Sequence, residues 1–194
     1  KNVDEIFISD IDCTVNNQTP NYKLISNIAI ECRMPFCYSG GIDTVEKALK
    51  IISLGVEKIA ISSAAIKNEE LIKELSNKIG KQSVVVVLDI KKTKFTKQYE
   101  LFTHNGKRST GILAKDFVLR IQSLGAGEII LNSIDRDGTL NGYDFELIDE
   151  VSKNIKIPFT VLGGAGSIND IKQLSNRYYP CGLAASSMFV FKGK

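Results

Sequence analysis

The chain has 194 residues, with 25 Lys+Arg against 22 Asp+Glu for a net charge of +3, and 43% of its residues are hydrophobic. That much apolar material fills a core and excludes intrinsic disorder. No apolar run approaches the roughly 18 residues of a membrane-spanning helix, and a weak, scattered positive charge leaves no footprint for nucleic acid. The length suits one domain over 1–194, or a larger one cut short.

The four cysteines, Cys13, Cys32, Cys37 and Cys181, form no C-x-x-C pair, and His104 is the only histidine. No metal and no cofactor is therefore expected. Four thiols in a chain of this size read as reduced, small, buried residues of a cytosolic protein. The opening residues carry neither the basic cap nor the apolar stretch of a secretory signal and read as the inside of a domain.

In chain order, residues 5–12 predict a strand, 22–32 a helix, 34–39 a strand, 44–54 a helix opened by the capping residue Thr44, and 58–62 a strand. A helix over 69–79 stops at Gly80, and 83–90 is a nearly continuous Val-Leu-Ile run that suits a strand buried on both faces. Residues 95–105 alternate and end on Asn105-Gly106, which predicts a hairpin. A helix over 114–124, strands at 128–135, 159–162 and 182–189, and helices at 145–154 and 168–176 complete the series. Strict alternation of strand and helix implies parallel strands joined by crossover helices, an α/β class.

The chain repeats itself at an offset of 123 positions. Glu5-Ile6 falls on Glu128-Ile129, Ile11-Asp12 on Ile134-Asp135, Pro35-Phe36 on Pro158-Phe159, Gly40-Gly41 on Gly163-Gly164, and Ser63 on Ser186, with no gap. Doubling that offset gives about 246 residues, the size of a (βα)8 TIM barrel. The expectation is a barrel with a two-fold half-barrel repeat, incomplete over these residues, with the first βα unit and the last helix missing.

Such barrels place their chemistry on the loops after the strands. Those positions hold Asp10 and Asp12, Gly40-Gly41, Ser62-Ser63, Asp89, the run 135–139, Gly163-Gly164-Ala165-Gly166 and Ala185-Ser186. Glycine turns at helix starts present bare N–H groups that bind phosphate. Their duplication implies a ligand with a phosphate at each end, unless the glycines serve only tight turns. Asp89, after five apolar residues, is the sharpest candidate for proton transfer, its bland alternative being a pair with Lys91 or Lys92. Asp12 and Asp135 read as loop braces, and His104 as solvent-exposed. Lys91, Lys92, Lys94, Lys97, Lys107 and Arg108 form a solvated face that could also attract an anion. At the opposite strand ends stand Glu5, Lys58 and Glu128, either solubilising the rim or ringing an opening.

The string Leu131-Asn132-Ser133-Ile134-Asp135-Arg136-Asp137-Gly138-Thr139, continuing to Gly142-Tyr143-Asp144, resembles the cyclase subunit of imidazole glycerol phosphate synthase. So do Val85-Val86-Val87-Leu88-Asp89, Thr110-Gly111, Gly125-Ala126-Gly127-Glu128-Ile129 and Leu183-Ala184-Ala185-Ser186, and the resemblance spans the chain. It implies a lyase of histidine biosynthesis. Such an enzyme takes ammonia from a glutamine amidotransferase (glutaminase) partner and closes a bisphosphorylated ribulosyl-formimino-aminoimidazole carboxamide ribonucleotide to imidazole glycerol phosphate.

Carried over residue by residue, the resemblance makes Asp89 one of two catalytic aspartates and sets Asp137 at the substrate. Gly41 and Ser63 would take one phosphate and Gly164 and Ser186 the other. Asp10, Ser62, Thr103, Asn105 and Gly138 join the substrate-binding set, and Glu5, Lys58 and Glu128 match three of four residues of an ammonia gate.

Departures accompany the likeness. The family's first-strand aspartate and the gate arginine are not among these residues, so the chain as given is expected to be inactive in cyclisation. Leu162 stands where a small polar residue is usual, Ser39 interrupts a glycine triplet, and Ser62-Ser63 replaces Asn-Thr. The tail 187–194 looks more like cyclase-like paralogues tied to amidation of surface-glycan sugars. The phosphoribosyl isomerase of the same pathway shares the repeat and the two phosphate sites but needs no through-barrel gate.

Overall fold

A computed structural model describes residues 3–190. The backbone falls into two compact units, Lys1–Val86 with Ser123–Gly127 and Val87–Gln122 with Glu128–Lys194, and one copy of the sequence repeat lies in each.

The first unit runs β1 (Ile6–Ser9), α1 (Ile11–Val15), α2 (Tyr22–Glu31), β2 (Phe36–Ser39), α3 (Val45–Ile52), β3 (Lys58–Ile61), α4 (Ser63–Lys67), α5 (Glu70–Ile79) and the start of β4 (Val84–Lys92). Its strands pair in parallel in that order. Every residue of β2 is buried, as a strand covered on both faces requires. Helices α3 and α5 turn Ala48, Ile51, Leu71, Ile72 and Leu75 inward. Asn21 and Thr44 start α2 and α3, their side-chain oxygens accepting from Leu24 N at 3.0 Å and Lys47 N at 3.3 Å.

In the second unit the end of β4 carries an antiparallel hairpin of β5 (Tyr99–Thr103) and β6 (Arg108–Leu113). Then come α6 (Ala114–Ser123), β7 (Glu128–Ser133), α7 (Phe145–Val151), β8 (Phe159–Leu162), α8 (Ile168–Tyr178), β9 (Gly182–Leu183) and α9 (Ser187–Val190). Strands β7, β8 and β9 are parallel. Tyr143, Ile148, Val161, Ala165 and Leu174 pack as one apolar cluster between β8 and its helices.

The repeat is physical. Ile6 pairs with Phe36 and, 123 positions on, Ile129 with Phe159. Ile6 N donates to Pro35 O at 2.9 Å, and Ile129 N to Pro158 O at 3.1 Å. The caps repeat too, since Asp144 Oδ1 accepts from Leu147 N at 3.0 Å and Ser167 Oγ from Asp170 N at 3.2 Å. Parallel βα units duplicated in this way are those of a (βα)8 barrel, present in part.

Several expectations are corrected. The last copy is offset by 124, not 123: Cys37 pairs with Lys58 but Thr160 with Gly182. Ser62 O accepts from the amides of Ala65 and Ile66, and Ser186 O from those of Phe189 and Val190. Ser186 therefore answers to Ser62 and Ser187 to Ser63, with one inserted residue between Asp170 and Gly182.

The strand read over 182–189 stops at Leu183 because Ser186 opens a helical turn. The strand read over 5–12 stops at Ser9 because the Asp10 carboxylate accepts from Cys13 N at 3.0 Å and starts α1. The hairpin turns at Asn105-Gly106 as expected, its first strand beginning at Tyr99 rather than at 95, and β4 runs on to Lys92 to pair with it. Helix α4 was not expected, being too short for a periodic signal. The end of the tail, 191–194, lies outside the described residues. Among the described residues no helix is long and apolar enough to cross a membrane.

Candidate functional site

Both glycine turns are shaped by the loop of the preceding strand. A Cβ on Gly40 would stand 2.6 Å from Asp10 O, and one on Gly163 2.7 Å from Ser133 O, the repeat-related atom. With φ of +129° and +99° as well, neither position admits a side chain without displacing backbone. In the first unit Gly41 N donates to Thr14 Oγ1 at 3.2 Å, so this expected phosphate amide is engaged by α1. In the second, Gly142 N donates to Gly164 O at 2.8 Å, drawing the loop after β7 over the turn.

The second unit contains a small recess of about 10 Å³ whose walls include Asp137, Gly138, Leu162, Gly164 and the Ser186-Ser187 pair. That is room for about one water-sized group, far below the roughly 300–1,000 Å³ of a complete small-molecule site. Ser62 and Ser63 begin α4 in the first unit.

Asp89 lies half-buried at the end of β4's apolar run, and its Oδ1 accepts from Asn132 Nδ2 on β7 at 2.8 Å. Nearby, Lys92 pairs with Glu146, and its backbone N donates to Asp135 Oδ2 at 2.9 Å. Asp135 thus braces its loop against β4. Asp10 caps α1 near the buried Tyr38 hydroxyl, whose pKa burial raises and the neighbouring Asp10 charge raises further. Asp12 is exposed on α1.

Thr103 and Asn105 occupy the β5–β6 turn, which sits against the loop after β7, since a Cβ on Gly106 would stand 3.0 Å from Ile134 Cγ2. His104 is exposed, its ring nitrogens facing Thr103 Oγ1 at 3.0 Å and Arg108 at 3.3 Å. Lys91 leans over the Phe102 ring at 5.8 Å.

At the opposite strand ends, Lys58 Nζ donates to Glu5 Oε2 at 2.6 Å in the first unit. In the second, Glu128 Oε1 accepts from Thr160 Oγ1 at 2.7 Å. All four cysteines are free, with Cys13 and Cys37 buried. Burial, with the nearby Asp10 charge, pushes the Cys13 thiol above its ordinary pKa. Among the described residues no three His, Cys, Asp or Glu side chains gather to hold a metal ion.

A family model described as histidine biosynthesis protein matches residues 1–194. The chain belongs to that family. It is 49% identical over 193 residues to a Leptospira borgpetersenii protein provisionally named imidazole glycerol phosphate synthase subunit HisF, covering 100% of this chain and 76% of that one. A Vibrio vulnificus relative, provisionally named subunit hisF3, is 48% identical over 98% of this chain and 74% of its own length. Subunit HisF of Natranaerobius thermophilus is 37% identical over 97% of this chain and 74% of its own. This HisF-like member of the histidine biosynthesis family carries three polar groups at its candidate site that sequence reasoning did not single out. Asn132 was hidden inside a strand pattern, Thr14 inside a presumed loop, and Ser187 by the one-residue offset.

Proposed function

We propose that this HisF-like protein is an enzyme of the cyclase type, a lyase that uses ammonia to close a bisphosphorylated ribulosyl substrate to imidazole glycerol phosphate. A glutaminase subunit serves as its ammonia source. The observation that carries this reading is the Asp89 carboxylate, held by Asn132 in the same unit as the recess walled by Asp137, Gly164 and Ser186. A carboxylate held in a fixed orientation can move a proton on a substrate anchored by its phosphate. Gly41 and Ser63 take the second phosphate, with Asp10, Ser62, Thr103, Asn105 and Gly138 lining the substrate. Glu5, Lys58 and Glu128 form the floor through which ammonia passes.

The test uses the full-length protein with ammonium salts and the ribulosyl substrate, following substrate loss by absorbance. Turnover that Asp89→Asn abolishes while substrate binding stays within a few-fold is the expected result. An Asp89→Asn variant of undiminished activity removes Asp89 from the mechanism.

A second reading is a paralogue that uses ammonia in amidation of surface-polysaccharide sugars. Leu162, an apolar wall of the recess where the cyclase resemblance expects a small polar residue, favours it. No turnover by a complete wild-type chain decides for this second reading.

A further inference from the structure

The positive charge of the chain is concentrated in one stretch. Residues 91–108 hold Lys91, Lys92, Lys94, Lys97, Lys107 and Arg108 against the single acid Glu100, a net of +5. The whole chain carries +3, so the other 176 residues sum to −2. Lys94, Lys97, Lys107 and Arg108 are exposed. Of the six cations only Lys92 forms an ion pair with a described residue, Glu146. The remaining five repel one another on one short hairpin arm, a cost that calls for an anion.

This arm adjoins the candidate site at both ends. Strand β4 runs from Asp89 into Lys91 and Lys92, and at about 3.3 Å per residue Lys92 stands about 10 Å along the strand. Strand β5 pairs back along it, Lys91 with Glu100 and Ile90 with Leu101. The turn of the hairpin reaches the loop after β7, since a Cβ on Gly106 would stand 3.0 Å from Ile134, three residues before Asp137. Lys107 and Arg108 follow that glycine directly.

Carboxylates dominate what an incoming ligand meets there. Residues 135–146 hold Asp135, Asp137, Asp144 and Glu146 against Arg136, and Asp89 adds another acid. They repel a phosphorylated substrate unless a stronger positive field lies beside them. Amides of a glycine turn act only at contact, whereas exposed charges reach over a Debye length, about 8 Å at physiological salt.

We propose that residues 91–108 are an electrostatic collector for the doubly phosphorylated substrate, drawing the anion toward Asp89 and Asp137 without taking part in the chemistry. The inference rests on the cyclase reading above and adds the residues that govern association. Steering of this kind speeds association by about tenfold or more and fades with salt.

Two triple variants of the full-length protein test it. Lys94→Gln/Lys97→Gln/Lys107→Gln strips the arm, and Lys153→Gln/Lys156→Gln/Lys172→Gln removes the same charge from three other exposed positions of the unit. With ammonium fixed and a total ionic strength of about 20 mM, the first should lower kcat/KM for the phosphorylated substrate about fivefold while kcat stays within about twofold. The deficit should shrink to within about twofold near 200 mM, where the Debye length has fallen from about 20 to about 7 Å. The second triple, and Lys94→Arg/Lys97→Arg/Lys107→Arg, which keeps the charge, should match wild type.

Equal effects of the two glutamine triples, or a deficit that salt does not relieve, overturn the inference and leave the cyclase reading intact. Absence of wild-type turnover removes the cyclase reading instead, and equilibrium dialysis of the same substrate then decides this one. Binding weakened about fivefold by the first triple alone sustains the collector. Binding equal in the three proteins, or absent from wild type, overturns it.

Discussion

Lys58 Nζ stands 2.6 Å from Glu5 Oε2, tying the approach to β1 to the first residue of β3 on either side of β2. The second unit keeps the glutamate, but the position answering to Lys58 is Gly182, where a Cβ would meet Thr160 Oγ1 at 2.0 Å. Glu128 accepts from that Thr160 hydroxyl instead. The duplicated scaffold therefore sets a lysine against the glutamate of one copy and a threonine hydroxyl against that of the other.

Lys58→Met leaves Glu5 without its cation at side-chain exposures of 25% and 32%, whereas Lys73 and Glu70, 3.7 Å apart, are 60% and 64% exposed. Urea unfolding is expected to show a loss of about 1 kcal/mol for Lys58→Met and under about 0.5 kcal/mol for Lys73→Met, since water screens the exposed pair. If the floor passes ammonia, Lys58→Met also lowers glutamine-supported turnover relative to ammonia-supported turnover. Equal losses in the two assays would limit Lys58 to a structural role.

Gly163 and Gly111 separate strain from collision. Both have positive φ, +99° and +71°, but a Cβ on Gly111 meets nothing within 4 Å while one on Gly163 meets Ser133 O at 2.7 Å. Gly111→Ala should cost about 1–2 kcal/mol from the left-handed backbone alone. Gly163→Ala should cost about 3 kcal/mol or more, because the loop after β7 must also move. Thermal unfolding of the two variants side by side checks the order, and equal losses would show that the Ser133 carbonyl yields freely.

Asp170 provides the pH dependence. Partial burial pushes its carboxyl up, but donors at Gly166 N, the Ser167 hydroxyl and Ser167 N outweigh that and hold its pKa below the ordinary carboxylate value. With the folded-state pKa depressed, the stabilisation is complete above the unfolded value of about 3.9 and disappears as pH falls through the folded one. The stability difference between wild type and Asp170→Asn should therefore be constant at and above about pH 5 and shrink below about pH 4. A difference that stays level down to about pH 2 would mean that the capping bonds do not depend on the charge.

How much could be read in advance varies with the kind of signal. The Val-rich run at β4, the cap Thr44, and the paired glycines at 40–41 and 163–164 were all legible, because burial on both faces, capping and tight turns each demand few residue types. The hairpin turn at Asn105-Gly106 was legible too, whereas the extension of β4 past its apolar run into Lys91 and Lys92 was not. Helices α1 and α4, of five residues each, were invisible because one turn and a half has no period to detect.

The amino-acid order alone determined the class of fold, its duplication and the strand ends on which polar residues gather, because periodicity, turn chemistry and the repeat are properties of neighbours along the chain. Only tertiary structure decided that Asp89 meets Asn132, that Thr14 occupies the Gly41 amide, and that Ser187 rather than Ser186 answers to Ser63. Each of those depends on groups at least 27 residues apart, or on an insertion whose place shows only in strand register, and such partners are chosen by packing distance rather than by spacing in the chain.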